Sequence, residues 1–174
     1  MTSPAPTPPE KALRRVLTIS RLNGWSVIII AGLGVLLSML LMDPLGIVIC
    51  LLAIASGWME LRGRQKLKRR DPAGMKWLVR SQLFLLAVSL AYCASRLGSF
   101  DSDSMMSNLT PEMETLLKEG GVEKADIVPL VHKGFLLLYG GLALTCLIYQ
   151  GGLALYYRSK TPLVTEALAA PPDA

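Results

Sequence analysis

Four apolar runs, at 25–42, 45–61, 77–97 and 134–157, set the limits on what this chain can fold into. Each holds about 17–24 residues. At about 1.5 Å of rise per residue, a helix of ~20 residues crosses the ~30 Å hydrocarbon core of a bilayer. A soluble domain of 174 residues would not gather its apolar residues into four long blocks. Almost no charge falls inside the runs, as the cost of burying a charge in lipid demands. The expected fold is all-α: an integral membrane four-helix bundle with a small helical extracytoplasmic cap.

Charge placement orients the bundle. Lys11, Arg14, Arg15 and Arg21 precede the first run, and Arg62, Arg64, Lys66, Lys68, Arg69, Arg70, Lys76 and Arg80 lie between or just inside the second and third. Arg158 and Lys160 follow the fourth, so these three groups hold 14 of the 18 Lys and Arg residues. Alternating spans put all three on one side. The loop at 99–133 has more acids (Asp101, Asp103, Glu112, Glu114, Glu119, Glu123, Asp126) than cations (Lys118, Lys124, Lys133). The positive-inside rule then places both termini in the cytoplasm, and the expected home is a bacterial inner membrane. The net charge of +5 does not indicate nucleic acid, because the cations flank spans and no stacking aromatics interleave the basic stretch Arg62–Arg70. An anionic inner leaflet is the expected partner.

The flanks and turns carry their own signals. Residues 1–22 read as a disordered Pro-rich stub followed by a short amphipathic helix from Glu10 to Leu22. That helix is expected to lie in the membrane interface on its Leu13, Val16, Leu17 and Ser20 face. The transmembrane domain covers 23–158 and the tail 159–174 is expected to be unstructured. Asp43-Pro44 predicts a tight hairpin between helices one and two, with Asp43 as N-cap and Pro44 in the first turn. Helix two is expected to continue into the basic loop 62–76, supported by Glu60 and Arg64 at i and i+4. Asp71-Pro72-Ala73-Gly74 breaks the chain before helix three. In the acidic loop, Thr110-Pro111-Glu112 reads as the start of a cap helix.

Three groups of residues are candidates for function. A polar seam of Glu60, Arg80, Gln82, Ser89 and Arg96 is expected between helices two and three, either as structural glue or as a path for an ion or substrate. Gly140, Gly141, Gly151 and Gly152 are spaced to share one face of helix four. They predict a close helix contact, within the bundle or in a homo-oligomer. Arg62, Arg64, Lys66, Lys68, Arg69 and Arg70 are the expected lipid contacts. Cys50 and Cys93 share a depth, so a thiol pair is a third functional class, set against small apolar filling of the kind free Cys often provides.

Lone His132 cannot build a multi-His centre, so no metal or other cofactor is expected. Neither a P-loop, a GxSxG nor a HExxH occurs in the sequence. The expected function is therefore non-catalytic: an assembly, accessory or lipid-interacting component, alone as a homo-oligomer or within a larger membrane complex. The alternative is a small transporter or channel subunit using the seam.

Overall fold

The computed structural model describes residues 7–99 and 124–170. Four helices account for nearly all of them, with no strand among the described residues: α1 (Pro8–Leu40), α2 (Pro44–Lys68), α3 (Ala73–Gly98) and α4 (Lys124–Ala169). The architecture is all-α. All four helices are long and apolar enough to cross a membrane, which makes this a multi-pass membrane protein by length and composition. With 33 and 46 residues, α1 and α4 reach about 50 and 69 Å, so both overrun a ~30 Å core. The expected start of a cap helix at Thr110, and the acidic stretch around it, lie outside the described residues. From Lys124 onward the chain already belongs to α4.

The two described turns share one construction. Met42 and Arg70 both adopt a left-handed backbone, with φ of 50° and 61°. Each is followed by Asp-Pro. Asp43 N–H donates back to Ser38 O (2.8 Å) and Asp71 N–H to Lys66 O (2.9 Å), closing the last turns of α1 and α2. The same aspartates then cap the next helix: Asp43 Oδ1 accepts from Gly46 N (3.1 Å) and Asp71 Oδ1 from Ala73 N (2.9 Å). One residue type thus ends one helix through its backbone and starts another through its side chain.

The described residues form two compact units. The first takes in Met1–Ser89 and Cys146–Ala174, so it contains α1, α2, most of α3 and the second half of α4. Within it α1 and α2 run antiparallel. Gly24 meets Gly57, Gly34 meets Cys50, and Ser38 meets Gly46, with residue numbers rising on one helix as they fall on the other. α2 and α3 repeat the arrangement through Gly63 with Gly74, and through Ser56, whose Oγ donates to Ser81 O (2.8 Å). The core of this unit lies at its basic end, where Val16, Leu67, Met75, Leu78, Tyr157, Val164 and Leu168 are buried together. The second unit, Leu90–Thr145, is joined by aromatic contacts between α3 and α4. Tyr92 meets Tyr139 edge-on with centroids 6.0 Å apart, and Phe135 lies 4.5 Å from Tyr139.

Two expectations about the ends are corrected. The segment 10–22 is not a separate interfacial helix; it is the opening of the continuous α1. Its apolar face packs into the basic-end core, with Val16 and Ser20 fully buried, so protein takes the place expected of lipid headgroups. A Gly at position 24 costs a helix interior only about 1 kcal/mol, too little to break it. Nor is the tail unstructured from 159, because α4 continues to Ala169. Pro162 removes one ladder bond, yet Val164 and Leu168, one turn apart, bury themselves in the same core.

Candidate functional site

Glu60 is the centre of the first unit. It lies on the α2 face that also carries Ser56, Gly57 and Gly63, all buried, and only 1% of its surface is exposed. The antiparallel registers bring one polar side chain from each of the other three helices to it. Asn23 Nδ2 on α1 donates to Oε2 at 2.6 Å, and Gln82 Nε2 on α3 donates to the same oxygen at 2.9 Å. Tyr157 Oη on α4 donates to Oε1 at 2.7 Å. A second tyrosine of α4, Tyr149, donates to Asn23 Oδ1 at 3.1 Å and so extends the network by one bond. All these partners are neutral donors. Among the described residues no Lys or Arg pairs with Glu60, and the protein's own dipoles replace water around the carboxylate.

Each position follows from local sequence. Asn23 precedes Gly24, whose missing Cβ lets α2 approach: a Cβ there would sit 3.0 Å from Leu61 and 3.3 Å from Gly57 O. Gly57 returns the favour, since its own Cβ would fall 2.9 Å from Gly24 O. That near contact of backbones is what carries Asn23 within reach of Glu60, one turn along α2. Tyr149 and Tyr157 are eight residues apart on α4, and thus lie on one face.

Of the predicted seam, the structure brings together Glu60 and Gln82 alone. Arg80 is exposed and lines a cavity of about 260 Å³ with Lys76 and Arg158. Ser89 is half-buried. Arg96 belongs to the second unit, where its guanidinium lies 5.2 Å from the Tyr92 ring centroid. Arg64, expected to support Glu60 from one turn away, instead donates through Nε to Leu17 O at 3.1 Å. Among the described residues, a Cβ on Gly140, Gly141, Gly151 or Gly152 would meet nothing within 4 Å. The close approaches are made by Gly24, Gly34, Gly46, Gly57, Gly63 and Gly74. Cys50, Cys93 and Cys146 are all thiols.

The six cations of 62–70 do not form one patch. Arg62 stacks on Trp58, with its guanidinium carbon 5.9 Å from the ring centroid. Lys66 pairs with Asp71 at 3.0 Å, a contact that holds the Asp71 carboxyl below the usual carboxylate range. Arg70 Nη1 donates to Ala170 O at 2.8 Å and ties α2 to the end of α4. Arg69 joins Arg62 and Lys66 around a cavity of about 320 Å³. Arg64 and Lys68 instead face α1, where with Arg14 and Arg21 they line a groove of about 850 Å³.

Sequence reasoning placed Glu60 and Gln82 but missed Asn23, Tyr149 and Tyr157. The available signal was polar tips at the basic ends of runs one and four, on the helices not then paired with the seam.

No protein-family model, curated protein or solved structure matches this chain.

Proposed function

We propose that this chain is a non-catalytic component of a bacterial inner membrane, with an assembly or accessory role in a larger membrane complex and both termini in the cytoplasm. The observation that carries this reading is the Glu60 hub. The buried carboxylate of the first unit accepts a donor from each of the other three helices, so the group best suited to chemistry is engaged in holding the bundle together. The exposed apolar surface of α1 and α4 offers contact area to lipid or to a partner helix. The concentration of Lys and Arg at one end supports the orientation.

Purification in a gentle detergent, followed by mass measurement and identification of co-purifying proteins, tests the role. A particle heavier than the monomer with its detergent, or a stoichiometric partner, is expected. Turnover of a substrate by the reconstituted chain alone would overturn the reading. Tags on both termini test the orientation: each should resist protease added from the periplasmic side.

Transport is the second reading. It is favoured by two buried acceptors, Gln82 Oε1 and Gln150 Oε1, that have no hydrogen-bond partner among the described residues. On this reading Glu60→Gln and Arg96→Ala each abolish flux across vesicles while helix content is retained. Unchanged flux in both removes it.

A further inference from the structure

We infer that the groove between α1 and α2 at the basic end of the first unit binds one anionic phospholipid, with its phosphate among Arg14, Arg21, Arg64 and Lys68 and an acyl chain along Leu22, Trp25 and Ile29. This goes beyond the assembly role and requires only that the basic ends of these helices lie at a headgroup layer. The protease experiment above decides that point separately.

The groove is ordered along the helix axis. Arg14, Arg21 and Trp25 fall at offsets of 7 and 11 on one face of α1, and Arg64 and Lys68 face them one turn apart on α2. From Arg14 to Ile29 is about 22 Å along α1. Over that length the lining passes from cations to the half-exposed indole of Trp25 and then to aliphatic side chains that continue into the span. A phospholipid has the same sequence of properties along its own length: an anionic head, an interfacial glycerol region and an apolar chain. A nucleic acid or a free phosphate would have no use for the Leu22–Ile29 end.

Charge complementarity is one-sided. Four of the lining residues are cations and none is an acid. Of the five donors of Arg64, Nε is held by Leu17 O, which fixes the guanidinium at the groove and leaves its terminal nitrogens to be satisfied. Thr18 and Ser26 line the groove too, but their hydroxyls donate to Arg14 O at 3.0 Å and Leu22 O at 2.7 Å within α1. The cations are therefore the groups left to hold a phosphate. A volume of about 850 Å³ accommodates a headgroup with the first part of one chain.

Trp25 supplies the readout. The full chain with Trp58→Phe and Trp77→Phe is reconstituted in phosphatidylcholine vesicles, and acyl-brominated phosphatidylglycerol is titrated against Trp25 fluorescence. Saturable quenching at low mole fraction is expected, well below the fraction of brominated phosphatidylcholine needed. Arg14→Gln with Arg21→Gln should raise the half-quenching fraction roughly 25-fold, at about fivefold per cation, and Lys68→Gln alone about fivefold. Arg62→Gln with Arg69→Gln, outside the groove, should leave it unchanged. Equal quenching by the zwitterionic lipid overturns the proposal. A shift in the Arg62/Arg69 variant as large as that in the Arg14/Arg21 variant also overturns it, since diffuse attraction would then suffice. Loss of the preference in millimolar inorganic phosphate would assign the cations to a free anion and overturn the lipid. Should the double variant fail to fold, the exposed Lys68→Gln decides by the same measure.

Discussion

Val16, Leu67, Met75, Leu78, Tyr157, Val164 and Leu168 are buried together at the basic end of the four-helix unit. A few turns along α1, Ile29, Ile30, Leu33, Leu36 and Leu37 are each more than half exposed. Both regions are apolar, and they differ in what surrounds them. α1 and α4 are longer than a ~30 Å hydrocarbon core, and wherever helices pass out of lipid, water drives large side chains inward. Along the span, lipid is as apolar as leucine, so nothing forces those side chains into the interior. There the helices approach through absent side chains instead, at Gly24 with Gly57 and at Gly34 with Cys50. Glu60 lies where the two regimes meet: within hydrogen-bond reach of Asn23, beside the glycine contact, and of Tyr157, which belongs to the buried core. The lesson is that one bundle can be packed by the hydrophobic effect at one end and by close backbone fit at the other, with a polar hub setting the register between them.

Deleting the hub should have the largest effect. Glu60→Ala leaves the donors of Asn23, Gln82 and Tyr157 buried without an acceptor and is expected to cost ~3–5 kcal/mol in denaturant unfolding from detergent micelles. A loss under 1 kcal/mol would mean that the hub does not join the two regimes.

The comparison itself is tested by a matched pair. Leu78→Ala, in the basic-end core, should cost ~2–5 kcal/mol, whereas Leu36→Ala, on the exposed face of the span, should change stability by less than ~0.5 kcal/mol. Equal costs would break the distinction.

Glycine substitutions sharpen it further. Gly57→Ala drives a methyl group to within 2.7 Å of Ile28 and 2.9 Å of Gly24 O, and should cost ~1–3 kcal/mol. Gly152→Ala meets nothing among the described residues and should gain up to ~1 kcal/mol from helix propensity. If Gly152→Ala instead dissociates an oligomer, the open face of α4 is a subunit contact.

The smallest effect concerns the α2–α3 turn. Lys66 keeps the Asp71 carboxyl below its ordinary value, so this contribution is complete above the unfolded carboxylate range and is lost as pH falls through the lowered value. Acidification below about pH 4 should therefore lower the protection of the Ala73 amide, measured as its exchange rate relative to that of an unstructured peptide at the same pH. In Asp71→Asn the protection should be free of that pH-dependent loss.

Much of the fold was legible in residue order because lipid imposes a simple code. Length and apolarity define a span, and each Asp-Pro defines a turn whose cap and first-turn residue follow from elementary backbone chemistry. The same code explains what was not legible. The helix-four glycines look like packing points by spacing, yet only the fold determines whether a neighbouring helix faces them, and among the described residues the glycines so faced include Gly24, Gly34, Gly57, Gly63 and Gly74. The 159–169 segment reads as a tail because it follows the last apolar run and carries Pro162, and Val164 and Leu168 become core only when α1, α2 and α3 are present to cover them. By itself, the sequence determined the number of spans, the turns between the first three helices and the end at which positive charge collects. The tertiary structure alone decided that Asn23, Gln82 and Tyr157 converge on Glu60, because a hydrogen bond between residues 22 to 97 positions apart depends on helix register, and register is set by which backbones can touch.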